Sequence, residues 1–182
     1  MSAAVTKTGG HVLYVLPSSQ VDSKGTTVED CLNSAKAFLQ RNGYGEMAVS
    51  YYYQYQNILT VNCAAMQDGV LLYPDLIKVQ VSMADGSVIG VECANYLKNH
   101  AQRALPEPLI TAEEAIQRVN ADLEPEFARL ALIPINTREV LTYEIAAKDD
   151  YDNQYLIYID AATGQERQIY QLVSNENGTL AE

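Results

Sequence analysis

The stretch from Gln154 to Val173, QYLIYIDAATGQERQIYQLV, admits few folds. Tyr155, Ile157 and Ile159 alternate with Leu156 and Tyr158, the two-residue period of a half-buried strand. Asp160-Ala-Ala-Thr-Gly164 then supplies a turn, with Asp as a local acceptor and Gly free to take positive φ. Gln165 to Val173 returns as a second strand, so the stretch reads as a β-hairpin. The phrase recurs. Leu76 to Met83 alternates with Ile77, Val79, Val81 and Met83 on one face, Asp85-Gly86 turns, and Ser87 to Ala94 returns. Thr8-Gly9-Gly10 leads into His11 to Leu16, which reads as the turn and last strand of a third copy whose earlier part is missing. A repeated closing hairpin predicts an array of units rather than one fold.

Each later hairpin is preceded by a helix pattern. Thr26 or Thr27 caps the first helix, with Asp30 at capping-box spacing from Thr27, and Val28, Cys31, Leu32, Ala35, Phe38 and Leu39 follow i, i+3, i+4, i+7. Asn42-Gly43 closes that helix, after Arg41. Strands are expected at 46–56, 57–66, 71–83 with a break at Pro74, and 87–96. Linkers rich in Pro and polar residues are expected at 17–25 and 97–108. The pattern then restarts with Thr111 and Glu114 as a second capping box. Ala112, Ala115, Ile116, Val119 and Leu123 form the helix face, and Pro125 ends it. Strands follow at 128–135, 139–147, 154–159 and 165–173. The expected fold is α+β, in tandem units of one helix laid on a four-stranded antiparallel sheet. The boundaries are 1–16 for the last strand of a truncated preceding repeat, 26–98 and 109–174 for two complete units, and 175–182 for a C-terminal tail.

A net charge of −11 argues against nucleic acid, because phosphate binding needs a basic patch. No apolar run reaches the roughly 18 residues of a membrane helix, and residues 1–10 carry no signal-peptide core. Three cysteines without a close pair are not a disulfide framework. Cys31 falls on a helix face and Cys63 and Cys93 in strands, where they read as small buried hydrophobes. His11 and His100 sit in no motif that would activate a thiol. Glu113-Glu114 suit a helix N-terminus, since adjacent helical residues do not converge. Asp149-Asp150-Tyr151-Asp152 lacks the spaced ligands of a calcium loop and reads as a hairpin tip. Asn177-Gly178-Thr179 matches a glycosylation sequon, too short a pattern to carry weight. No catalytic residue, metal site or cofactor is expected.

The tyrosines stand out: 13, against two Phe and no Trp. Tyr suits half-buried strands. Tyr51-Tyr52-Tyr53 needs more, because adjacent strand residues point to opposite faces and one helix covers one face. Tyr51, Tyr53 and Tyr55 are expected on one face and Tyr52 on the other, with a similar alternation at Tyr155 and Tyr158. These six are the candidate protein-binding residues.

The residues Thr111-Ala-Glu-Glu-Ala115, followed by Tyr155-Leu-Ile-Tyr-Ile-Asp160 and Thr163-Gly164-Gln165, resemble the PepSY domain family. The first copy is more divergent, closing on Ala84-Asp85-Gly86. Two copies, the Thr8 to Leu16 strand before them and the short tail resemble a PepSY-repeat family of spore germination proteins. That resemblance implies a non-enzymatic protein that binds and stabilises or restrains a spore cortex-lytic peptidoglycan hydrolase of the SleB type. It also implies a place at the outer face of the spore inner membrane, held by an N-terminal anchor absent from this chain. The wider family's occurrence in protease propeptides implies the alternative, inhibition of a secreted peptidase.

Overall fold

The computed structural model describes residues 1–17, 21–175 and 178–181, with side chains through Leu172. The chain divides into two compact units. The first comprises residues 1–66 and 74–101 with Gly178, and the second residues 67–73, 102–175 and 179–181.

In the first unit, strands β1 (Ser2–Val5) and β2 (Val12–Leu16) form a hairpin. Helix α1 (Val28–Arg41) follows, then β3 (Met47–Tyr55), β4 (Ile58–Gln67), β5 (Val70–Ser82), β6 (Val88–Glu92) and the short helix α2 (Ala94–Asn99). The strands lie in the order β1-β2-β6-β5-β4-β3. Thr27 caps α1 through its side chain, and Asp30 answers to the Thr27 backbone, completing the capping box. The helix buries Cys31, Ala35 and Leu39 against Leu59, Val61 and Cys63 of β4 and Ile77, Val79 and Val81 of β5. Burying a side chain such as Leu39 contributes about 2 kcal/mol.

In the second unit, helix α3 (Ala112–Ile116) precedes β7 (Glu124–Ile135), β8 (Arg138–Lys148), β9 (Gln154–Asp160) and β10 (Glu166–Asn175). These pair antiparallel in chain order, and Leu71-Leu72 at the start of β5 run parallel to Ala131-Leu132 of β7. The Asp160 turn forms as its sequence requires. One carboxylate oxygen of Asp160 accepts from the Ala162 and Thr163 amides at 2.9 Å, the other from Arg167, and Gly164 takes φ +70°. The Tyr143 hydroxyl donates to the Ile110 carbonyl at 2.9 Å, holding the entry to α3 on its sheet.

Helix followed by four strands is therefore found twice, and β2 pairs with β6 (Tyr14 with Glu92, Val15 with Val91), which covers the apolar N-terminal strand on one edge. Six expectations are corrected. The second helix ends at Ile116 rather than near Leu123. Arg118 and Val119 bond back only three residues, and the Asn120 side chain takes the Asp122 amide, a local alternative to helix. Pro125 accordingly lies inside β7, paired with Ala147. Pro74 does not break β5, although the strand passes from the second unit to the first there. Cys93 lies just past the end of β6, at the N-cap of α2, where the Leu97 amide bonds its carbonyl at 2.9 Å. The Thr8–Gly10 turn has both its strands, and a further short strand, β11 (Gly178–Ala181), pairs Gly178 with Tyr53 where only a tail was expected. Asn177 of the sequon lies outside the described residues.

Candidate functional site

The β3 tyrosines divide between faces through a bulge. Val49 pairs with Cys63 and Tyr51 with Asn62, so Ser50 is the extra residue, and its hydroxyl donates to the Asn62 carbonyl at 3.1 Å. Tyr52 consequently packs with Met47 and Val49 against the α1 core. Tyr51 and Tyr53 take the opposite face, where they are half-buried, and Tyr55 is 64% exposed. Burial pushes the Tyr51 phenol up, and the Lys78 ammonium partly offsets this. Beside them on β4, Thr60 and Asn62 are buried, and among the described residues neither atom of the Asn62 amide has a hydrogen-bond partner. The centre of this face is closed, and its tyrosine margin on β3 is the open part.

On β9 the alternation separates Tyr155 from Tyr158. Tyr155 is half-buried, and its hydroxyl donates to Asp149 at 3.1 Å. Asp149 also accepts from the Tyr151 and Asn153 amides and the Asn153 side chain. Those bonds, the Asn153 side chain first, hold its carboxyl below the usual range. The acidic tip is thus a self-capped turn. Tyr158 is only 4% exposed, and burial removes it from any surface.

Tyr158 belongs instead to a cluster that sequence reasoning missed. Glu144, fully buried on β8, accepts from Tyr158 at 2.9 Å and Tyr73 at 2.5 Å through one oxygen, and from Arg129 Nε at 2.7 Å through the other. The rings of Tyr73 and Tyr158 meet edge to face at 6.0 Å, as do those of Tyr158 and Tyr170. A signal was present: Glu144 interrupts the apolar run LTYEIAA at a position no solvated face demands. A second pairing was also unmarked. Asp75, fully buried, lies 2.7 Å from His100 Nδ1, and Tyr96 stacks on the imidazole at 4.2 Å.

Neither cluster holds a poised nucleophile. Cys31, Cys63 and Cys93 are buried and free, and burial pushes the Cys63 thiol up to about 12. The Cys93 sulfur is engaged by the Tyr44 hydroxyl at 3.2 Å. Thiols held this way are inert packing groups. Among the described residues no three His, Cys, Asp or Glu side chains gather to hold a metal ion. Along β3 the surface offers aromatic area with hydroxyls, from the exposed Tyr55 and the half-buried Tyr51 and Tyr53.

A capped helix followed by four strands, closed by an Asp-x-x-Thr-Gly hairpin, defines the second unit as a PepSY domain. Residues 109–170 match the family described as "Peptidase propeptide and YPEB domain". Residues 1–106, more than half of the chain, match "YpeB sporulation, PepSY1 and PepSY2 domains". The chain belongs to the YpeB sporulation protein family. It is 35% identical to the sporulation protein YpeB of Halalkalibacterium halodurans over 173 residues, and 31% identical to that of Bacillus subtilis over 175 residues. Each alignment covers 94% of this chain but only 38% and 39% of the relative, so the chain spans under two-fifths of their length. The Bacillus megaterium YpeB C-terminal domain is similar in structure, with a TM-score of 0.87 and 30% identity, covering 94% of this chain and 76% of that one.

Proposed function

We propose that this chain acts in sporulation as a non-catalytic binding module that stabilises or restrains a spore cortex-lytic enzyme of the SleB type until germination. The observation that carries this reading is family membership along the chain, with residues 1–106 and 109–170 both matched. Buried, protonated thiols and self-capped acidic turns support a role without chemistry. We place the protein in the spore, on the outer face of the inner membrane, with attachment supplied by a segment outside this chain. Residues 1–16 close a preceding repeat, and 26–98 and 109–174 are the complete units. The binding residues are Tyr51, Tyr53 and Tyr55 along β3, with Tyr52 as the inward anchor of that strand and Tyr155 at a second site. Tyr loses little rotamer entropy on ordering and offers both apolar area and a hydroxyl.

The test is co-purification from sporulating cells, followed by a Tyr51→Ala/Tyr53→Ala/Tyr55→Ala variant checked for folding by thermal melt. A peptidoglycan hydrolase is the expected partner, and the variant should lose at least about 2 kcal/mol of affinity for it. A folded variant that keeps full affinity refutes the surface. The description of the second matched family, which names peptidase propeptides, favours one alternative: inhibition of a secreted peptidase. Capture of a peptidase in place of the hydrolase would establish that reading.

A further inference from the structure

The second unit carries a cavity of about 350 Å³ that the binding role leaves unused. It opens at the β7–β8 hairpin tip and is lined by Ile135, Asn136, Thr137, Arg138, Val140 and Arg167. Two of the twelve basic residues of a chain with net charge −11 therefore face one cavity. Two of the neighbouring acids, Asp160 and Glu139, are already taken. Asp160 receives Arg167 Nε at 2.9 Å and Nη2 at 2.6 Å on one oxygen and two backbone amides on the other. Glu139 receives Arg103 at 2.8 and 2.9 Å.

The consequences follow by charge and donor count. Asp160 neutralises Arg167 and fixes the plane of its guanidinium, leaving its other N–H groups unused. Arg138 is exposed, and its side chain makes no hydrogen bond or ion pair among the described residues. A guanidinium presents five donors in a planar fork that matches a carboxylate. Its lining side chains, with Asp160 set against Arg167, thus carry one formal positive charge in excess, a second guanidinium held rigid, a Thr hydroxyl and an Asn amide. Ile135 and Val140 add an apolar wall, which favours an anion carried on an aliphatic group over a fully hydrated ion.

We infer that the cavity between Arg138 and Arg167 is a binding site for a carboxylate on a short aliphatic stem, as on a small organic acid or the C-terminal residue of a peptide. Arg138 supplies the charge and the paired donors. Arg167, braced by Asp160, sets the orientation, and Ile135 with Val140 receives the stem. Nothing here depends on the Tyr51–Tyr55 surface, which lies in the other unit.

The site is tested by NMR titration of the intact chain with N-acetylleucine, N-acetylleucine amide and the tripeptide Ala-Ala-Leu. Saturable shifts at residues 135–140 and 166–168 are expected with the two carboxylates and not with the amide. Tighter binding of the tripeptide identifies a chain terminus as the ligand, and equal or tighter binding of N-acetylleucine identifies a small acid. Arg138→Gln removes an exposed side chain with no internal partner, so it should leave the thermal melt unchanged while weakening N-acetylleucine about tenfold. Arg138→Lys should recover only part of that loss, since an ammonium cannot pair both oxygens in one plane. Non-saturating shifts, equal response to the amide, or full affinity in Arg138→Gln would overturn the assignment.

Discussion

Replacing Glu144 by Ala should be among the most costly single changes in the second unit. The carboxylate is fully buried and is the common acceptor of Arg129, Tyr73 and Tyr158. Its removal leaves three donors without their partner, and they do not suffer equally. The Tyr158 hydroxyl is buried and bears most of the cost of an unmade hydrogen bond, about 2 kcal/mol. Tyr73 is half-buried and the Arg129 side chain 33% exposed, so water recovers part of their loss and each adds about 0.5–1 kcal/mol. Relief of the desolvation that a buried carboxylate suffers offsets some of this, for a net of about 3 kcal/mol, at the lower end for a broken buried pair. Urea unfolding followed by circular dichroism should show a lower midpoint at unchanged slope, and thermal melts a drop of about 6–12 °C. The coupling is separable. Glu144→Leu combined with Arg129→Met should cost less than the sum of the single changes by at least about 1 kcal/mol, because the double variant leaves no unpaired guanidinium. A spectroscopic check is independent of stability. Burial first, then the Glu144 charge, pushes the Tyr73 phenol above its ordinary range, and burial with the neighbouring Tyr73 and Glu144 does the same for Tyr158. Both rings should therefore stay protonated in alkaline titrations until the protein unfolds. A cost below about 1 kcal/mol for Glu144→Ala, or strict additivity in the cycle, would show that the cluster is solvated and the reasoning wrong.

Two further outcomes are expected. Asp160 is buried, which raises its carboxyl, but the Arg167 bond and the Ala162 and Thr163 amides outweigh burial and hold it below its ordinary 3.8. A depressed folded value means that the stabilisation is complete above 3.8 and is lost as pH falls through the lowered value. Urea midpoints measured from neutral to strongly acidic pH should fall less steeply in Asp160→Asn than in the parent chain, and equal slopes would remove Asp160 from the acid transition. Thr27→Ala and Thr111→Ala each delete a side-chain cap, and each should cost about 1 kcal/mol in urea unfolding, with Ser at either position restoring most of it.

Much of the architecture was legible because its signals are local. A capping box is read within four residues, and Thr27 with Asp30 and Thr111 with Glu114 both formed as spaced. The Asp160–Gly164 turn is legible for the same reason: its acceptor and its positive-φ residue lie inside one loop. Strand periodicity separated Tyr52 from Tyr51, Tyr53 and Tyr55, but that Tyr52 is the one turned inward, through the bulge at Ser50, leaves no mark in composition. Helix periodicity was less reliable. Val119 and Leu123 continue the apolar spacing of α3, yet Asn120 offers its neighbours a side-chain acceptor and the turn wins. Periodicity states which face a residue would occupy if the helix continued, not whether it continues.

Other features depend on pairings distant in sequence. Tyr155 and Tyr158 are equivalent in a strand pattern, but Tyr158 is buried because Glu144 and Tyr73, 14 and 85 residues before it in the chain, close over its hydroxyl. Asp75 and His100, 25 residues apart, meet for the same kind of reason. The Arg138–Arg167 cavity exists only because antiparallel pairing brings two hairpin ends together, and Arg138 is left without a side-chain partner in it while Asp160 holds Arg167 and Glu139 holds Arg103. The sequence by itself determined the repeated helix-and-hairpin units, their caps, their turns and the family, because backbone preference and alternation act between near neighbours. Tertiary structure alone decided which tyrosines are available, which charges are buried and which guanidinium is left unpaired, because exposure and charge balance belong to the surroundings a residue acquires on folding.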